Sequence, residues 1–323
     1  MSSIIVYLGI FFLSFFLSLY IKNLLEKKLL VASVNERSSH TSSVPYGGGI
    51  AIIISWLVGL IYLYLINEIE TNLFYALLLG IVLGVVGFID DVYNISSKIR
   101  LFIQCLIAIL ALYILGGFNG LAFGYFEILN PFLTNIFAFL MIIWFINLFN
   151  FLDGINGYAG SEMIFLSMAG FIIFGNHLFL ILAFSVLGFL YWNFNRAKIF
   201  MGDAGSTLLG YNVSIFTLYY ANLEMTNLWI WIILFSLFWF DATVTLLRRK
   251  LKGENIFKAH KNHAYQRLNQ AGWSHFKITN YSIVLNLILF CFAYFISNIF
   301  VAFVMTILVL ILCMNFVDSK KID

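Results

Sequence analysis

The chain has 323 residues, 62% of them hydrophobic and 10% charged, with 18 Lys/Arg against 15 Asp/Glu for a net charge of +3. Its mean hydropathy of +0.97 excludes a soluble globular domain. Apolar runs of about 17–20 residues, the length that crosses ~30 Å of hydrocarbon, recur through the whole sequence. In chain order they cover 3–21, 48–66, 72–89, 101–117, 132–149, 161–176, 178–194, 205–222, 228–246, 280–297 and 299–317. The prediction is an all-α, polytopic integral membrane bundle of about eleven transmembrane helices, or ten if a closely spaced pair is one span. The first run has no basic segment before it and no small-residue cleavage site after it, and Lys22, Lys27 and Lys28 follow it. It reads as an uncleaved anchor with the N-terminus outside.

Charge placement orients the spans. The intervals 22–47, 90–100, 150–160, 195–204 and 247–279 and the tail from 318 fall on one side and hold all 18 Lys/Arg. The opposite loops hold none, and carry Glu68, Glu70, Glu127 and Glu224. A missed span would scramble this one-sidedness, so the basic side is predicted to be cytoplasmic, with the C-terminus inside. Such a rim suits anionic headgroups and phosphorylated ligands. No internal repeat or second domain is visible. Residues 1–323 are expected to form a single transmembrane catalytic domain with active-site loops in the five cytoplasmic intervals. Cys105, Cys291 and Cys313 lie in apolar runs without a CxxC pair and read as small core hydrophobes.

Four polar cassettes interrupt the apolar pattern, all on the basic side. In the first, Asp90 and Asp91 end the third span. In the second, Asp153 follows the fifth span. Carboxylates there meet the wrong end of the helix dipole, at ~0.3–1 kcal/mol each, and adjacent like charges add to it. A divalent cation or a Lys/Arg from the same rim would offset this; solvated loop carboxylates are the ordinary alternative. Asn147, Asn150, Asp153 and Asn156 are spaced by three, along one helix face and into a glycine-broken turn. Their amides read either as interhelical hydrogen bonds or as contacts to phosphate or a uracil ring.

Asp203, in Gly202-Asp203-Ala204-Gly205-Ser206, reads as a helix N-cap or as part of a phosphate-facing helix N-terminus. No GK[ST] follows, so a nucleotide P-loop is not supported. Magnesium takes one or two carboxylates plus waters and phosphates, and Asp203 with Asp90, Asp91 or Asp153 meets that demand. His260 and His263, three apart beside Lys258, Lys261 and Arg267, lack the partners of a zinc site. They suit a diphosphate, with a solvated basic loop as the alternative. Arg37, His40, Pro45 and Gly47-Gly48-Gly49 form either a phosphate-approaching turn or an ordinary one. Asp241 is an intramembrane carboxylate, hence a functional candidate unless a polar neighbour near Arg248-Arg249-Lys250 holds it. His177 lies at an outer turn and reads as incidental.

In series, Phe88-x-Asp90-Asp91, the Asn147-to-Gly157 run, Phe200-Met-Gly-Asp-Ala-Gly-Ser206 and His260-x-x-His263-x-Tyr265-Gln266 resemble the polyprenyl-phosphate N-acetylhexosamine-1-phosphate transferases (glycosyltransferase 4 type). The resemblance covers about 35–275. It implies transfer of an N-acetylhexosamine 1-phosphate from a UDP-N-acetyl amino sugar to undecaprenyl phosphate, releasing UMP, with Mg²⁺ or Mn²⁺. The setting it implies is the cytoplasmic face of a bacterial inner membrane. Asp90, Asp91 and Asp203 would be catalytic, and Asp203 and Asp153 metal ligands. Asn147, Asn150, Asp153, Asn193 and Lys198 would serve the nucleotide-sugar, His260 and His263 the diphosphate, and Arg37 and His40 the lipid phosphate. The resemblance departs at Asn94 and Asn156, where the family often has Asp, and at Arg196, where a proline is common. The histidine loop resembles the lipopolysaccharide branch, which implies O-antigen initiation over a peptidoglycan-type transfer.

Beyond substrates and membrane lipids no nucleic acid is expected, and oligomeric state is left open, a homodimer included. The competing classes are an ion-coupled transporter, which places its acids near the midplane of repeated halves, and a non-catalytic scaffold.

Overall fold

The computed structural model describes residues 2–27, 44–255 and 260–320. Arg37, His40 and Lys258 lie outside these residues. The described chain is helical apart from one short hairpin: α1 (Ser2–Lys27), α2 (Gly49–Leu65), α3 (Thr71–Tyr93), α4 (Ser97–Leu115), β1 (Leu121–Ala122), β2 (Glu127–Ile128), α5 (Pro131–Leu152), α6 (Tyr158–Phe174), α7 (His177–Asn193), α8 (Gly202–Leu223), α9 (Asn227–Leu234), α10 (Ser236–Leu251), α11 (Ala264–Gln270), α12 (His275–Phe295) and α13 (Ile299–Asp318). The antiparallel hairpin pairs Leu121 with Ile128 and Ala122 with Glu127.

Local chemistry sets the helix ends. Ser96, Asn130, Asn176, Ser274 and Asn298 each accept backbone N–H bonds at the start of a helix, satisfying donors the first turn leaves free. Pro131 follows Asn130 at the first helical position, where its missing N–H costs nothing. Asn94 ends α3 in the left-handed conformation (φ 53°) and donates its N–H to Asp90 O, a role asparagine tolerates.

Each predicted apolar run coincides with a helix, with one difference. The run 228–246 is two helices bent by 71°. No proline or glycine causes the bend. At Phe235 the ladder tightens to Phe238 N–H→Phe235 O, and the Trp239 indole donates to Ile232 O at 2.8 Å. A side chain thus satisfies a carbonyl that the break releases. Among the described residues six helices are long and apolar enough to cross a membrane (α1, α3, α4, α5, α12 and α13), or seven with the bent α9–α10 pair. Helices α2, α6 and α7 are apolar but have 17 residues each, or ~26 Å at ~1.5 Å per residue. Most of α1, α4, α12 and α13 faces outward, as lipid-facing helices do.

Helix α8 is the axle of the molecule. It is buried almost throughout and packs on α2, α3, α5 and α9. Glycines permit this: a Cβ on Gly49 would strike the Gly205 backbone, and one on Gly87 would strike the Asp203 carbonyl. These contacts seat the starts of α2 and α8, and the end of α3, against one another. Gly87→Ala is therefore expected to cost about 1–3 kcal/mol by overpacking and to lower the melting temperature by roughly 2–6 °C. Gly9→Ala, with nothing within 4 Å of its new methyl, is the matched control. Equal melting temperatures by thiol-dye unfolding in detergent would contradict this packing.

The two ends of the bundle differ in kind. At one end the hairpin packs on α8 and α9 through Asn119–Asn222 bonds and a Trp229 indole donating to Ala122 O. At the other end lie the four polar cassettes.

Candidate active site

The acids gather at the N-terminus of α8. Asp91 Oδ1 accepts from Asp203 N–H at 3.0 Å, and Asp91 Oδ2 from Ala204 N–H at 3.3 Å. Gly202 makes this possible, since it sits at φ +74° and a Cβ there would strike the Asp91 carboxylate. Asp91 ends one helix and caps the positive end of another, so its misplacement relative to α3 is offset by α8. Asp90 is offset by Arg100 of α4. The Arg100 Nη1 donates to Asp90 Oδ2 at 2.5 Å and to Asp203 Oδ2 at 2.6 Å. The expected basic group of the rim is thus found beside Asp90, as Arg100, whereas Asp91 is held by backbone N–H groups instead.

Helix α5 supplies the next wall. Asn150 Nδ2 donates to Asp203 Oδ1 at 2.7 Å and to Ser206 Oγ at 3.1 Å. Asn147 Nδ2 donates to Gln104 Oε1 at 2.9 Å and to Ile143 O at 2.7 Å, so its amide links α5 to α4. Arg100, Gln104, Asn147, Asn150, Asp203 and Thr207 line a narrow crevice of ≈ 90 Å³ between α3, α4, α5 and α8.

The carboxylate of Asp153, the residue that ends α5, has no hydrogen-bonding or ion-pair partner among the described residues. Burial, then the charges of Asp203 and Asp91, push its carboxyl up to about 8. Mutual repulsion with no basic partner is what a bound cation relieves. Among the described residues no three His, Cys, Asp or Glu side chains group closely enough to hold a metal alone. The donor set fits a hard divalent cation that keeps waters and ligand phosphates, with Asp153 and Asp203 as its carboxylates.

The histidine loop closes on the end of α5. Tyr265 is buried, donates its hydroxyl to Phe151 O at 3.1 Å, and lies against Gly154. The His263 ring stacks with Phe151 and with Tyr265 and lies 4.8 Å from the His260 ring, centroid to centroid. Burial, then His263 and Arg249, push the His260 imidazole down to about 4, so it is neutral at pH 7. Its Nδ1 accepts from Asn262 N–H at 3.3 Å, which leaves the Nε2–H as its donor.

Other predicted residues sit apart from the crevice. Asn193 is buried, accepts from Gly157 N–H at 2.8 Å and donates to Ile199 O at 2.9 Å. Its amide staples two loops together. Lys198 is exposed, its ammonium 5.2 Å from the centre of the Trp192 ring. Asn156 donates to Asn195 O. Asp241, placed by the sequence deep in a span, lies level with the histidine loop, because the bend at Phe235 redirects α10.

Two residues join the site without having been singled out in the sequence. Arg100 counted there only toward the basic rim; the signal was its place just after Ser96, the cap that starts the next helix. Tyr46 forms a backbone bridge to Phe200 and packs on its ring. Its phenol is raised by burial and then by Asp153, Asp91 and Asp203, so it stays a neutral donor beside the acids.

A multi-pass helical bundle with carboxylates from two helices, α3 and α5, meeting that of Asp203 at the start of a third, α8, defines a membrane protein with a cation-compatible polar site. Comparison narrows the class. The family model described as glycosyl transferase family 4 matches residues 73–221, a span that includes Asp90, Asp91, Asn150, Asp153 and Asp203. A Bacillus subtilis relative, "Probable undecaprenyl-phosphate N-acetylglucosaminyl 1-phosphate transferase", is 32% identical over 260 residues, 75% of this chain and 70% of the relative. A Yersinia pestis "Undecaprenyl-phosphate alpha-N-acetylglucosaminyl 1-phosphate transferase" is 31% identical over 301 residues, 85% and 78% respectively. A Staphylococcus carnosus "Phospho-N-acetylmuramoyl-pentapeptide-transferase" is 26% identical, covering 76% and 83%. The chain belongs to glycosyl transferase family 4, the polyprenyl-phosphate N-acetylhexosamine-1-phosphate transferases, and is a multi-pass membrane enzyme.

Proposed function

We propose that the chain transfers an N-acetylhexosamine 1-phosphate from a UDP-sugar to undecaprenyl phosphate, releasing UMP, at the cytoplasmic face of a bacterial inner membrane. The names of its relatives support a sugar-1-phosphate donor and that lipid acceptor, and they nominate N-acetylglucosamine as the first sugar to test. In this reading the product starts O-antigen or another surface polysaccharide. The observation that carries it is the meeting of Asp91, Asp153 and Asp203 at the start of α8, with His263 packed on the end of α5. Eleven spans with the N-terminus outside agree with 18 Lys/Arg assigned to one side and with all four cassettes at one end of the bundle.

Asp153 and Asp203 would hold a Mg²⁺ or Mn²⁺ ion, which supplies neutralisation of the diphosphate oxygens when bound. The lipid phosphate has a second pKa near ~6, so it is mostly dianionic at neutral pH and needs little help from a base. Asp90 is tied to Arg100, and both Asp91 oxygens accept from α8 backbone. Neither is a free nucleophile, which favours direct in-line attack of the lipid phosphate on the donor over an aspartyl-phosphate intermediate. Arg100, His260 and Tyr46 would supply donors to the phosphates.

The test is UMP release by purified protein from a panel of UDP-N-acetyl sugars. Release is expected only with polyprenyl phosphate and a divalent cation both present. Release without the lipid, or ion-driven uptake into proteoliposomes without any UMP, would refute the assignment.

A further inference from the structure

Asp241 is a buried carboxylate that the proposed reaction leaves without a task. Its Oδ1 and Oδ2 accept from Ala264 N–H at 2.9 and 3.0 Å, and Oδ1 also accepts from Thr245 Oγ1 at 3.1 Å. No Lys or Arg pairs with it among the described residues. Asp241 is 4% exposed, and burying a carboxylate costs more than burying a neutral polar cap. Helix α11, which it caps, has seven residues and would be capped as well by Ser or Asn. A charge at this position therefore calls for a use beyond capping.

The next group is the use. His263 Nδ1 stands 3.7 Å from Asp241 Oδ1, is buried, and has no hydrogen-bond partner. Phe151 and Tyr265 stack on the ring. Its place is set by how α11 begins, and Asp241 sets that through Ala264 N–H. A shift of about 0.8 Å would let Nδ1–H donate to Oδ1, and an imidazolium held in this way would present its Nε2–H to a phosphate oxygen. The other ionisable groups that feel Asp241 are His260, Tyr158 and Tyr265. His260 is neutral at pH 7 and a phenol carries no positive charge, so none competes for the carboxylate as a cation.

We propose that Asp241 is a positioning residue for His263: it anchors the start of α11 and orients the imidazole for the diphosphate. The proposal rests on the reading of His263 as a diphosphate contact. It acts on the proposed reaction from α10, a helix that contributes none of the residues lining the crevice.

A double-mutant cycle tests it, with UMP release as the assay. Asp241→Asn keeps an oxygen for Ala264 N–H and removes the charge. It is expected to lower kcat by roughly 10–100-fold, with KM for the UDP-sugar changed less than about threefold. In a His263→Ala background Asp241→Asn is expected to add less than about twofold, since residues acting through one another are not additive. Thr245→Val, which removes one donor from Asp241, should show a smaller loss that likewise vanishes in the His263→Ala background; it carries the cycle if Asp241→Asn does not fold. Equal losses in both backgrounds, beside a strong effect of His263→Ala alone, would overturn the positioning role and leave the function standing. A silent His263→Ala would remove the diphosphate contact and this proposal together.

Discussion

Asp203→Asn is expected to lower turnover by at least about 1,000-fold while the protein stays folded. The loss follows from charge. One Asp203 oxygen receives Asn150 and the other Arg100, and an uncharged amide neither holds a divalent cation nor accepts from a guanidinium on both sides. A thousandfold is ~4 kcal/mol at ~1.36 kcal/mol per decade, the scale of removing one preorganised electrostatic contact. Folding survives for a separate reason. The α8 N-terminus is fixed by its backbone N–H bonds to Asp91 and by the Gly49 and Gly87 contacts, none of which uses the Asp203 side chain. Removing one of four neighbouring acids also relieves repulsion on Asp153. UMP release and thermal unfolding on the same preparation check both halves. Turnover within tenfold of the parent protein at high Mg²⁺ would count against Asp203 as a metal ligand.

The architecture and half of the site were legible because each rests on one-dimensional signals. Apolar run length locates the helices. Acids at helix mouths are rare enough in such a chain that Asp90, Asp91, Asp153 and Asp203 marked themselves, and the structure brings all four together. Partner identity is a different matter. That Asp91 would cap α8, 112 residues away, depends on the crossing of α3 and α8, which no local pattern encodes. The bend at Phe235 carries no proline or glycine; it comes from an indole reaching a carbonyl after packing is complete. The family resemblance alone put Asn193 with the nucleotide-sugar. Its two bonds, to Gly157 and Ile199, satisfy loop backbone that the sequence could not show to be buried. The aromatic wall around His263 was likewise hidden, since Phe151 and Tyr265 are two among many aromatics until the fold stacks them.

Arg100 illustrates the same limit and carries the second large effect. Arg100→Met is expected to cut kcat/KM by about 100-fold, and Arg100→Lys by about tenfold. The guanidinium nitrogen that bridges Asp90 and Asp203 is the one basic group of the described residues paired with either acid. Methionine keeps the apolar stem but leaves Asp90, Asp91, Asp153 and Asp203 repelling one another without it. Two consequences of opposite sign then follow. Binding of a free divalent cation should tighten, because the uncompensated negative charge attracts it. Binding of the UDP-sugar should weaken, because a donor to its phosphates is gone and the acids push the diphosphate away. The rate loss corresponds to ~2.7 kcal/mol at ~1.36 kcal/mol per decade. It is smaller than for Asp203→Asn because Arg100 is partly exposed and solvent screens it. Lysine restores the charge as a compact point that reaches one carboxylate well and two poorly, so it recovers part of the activity. Isothermal titration with Mn²⁺ and steady-state UMP release separate the two binding effects. Weaker Mn²⁺ binding in Arg100→Met would mean that the arginine helps to build the cation site, and the electrostatic opposition argued for the crevice would be wrong.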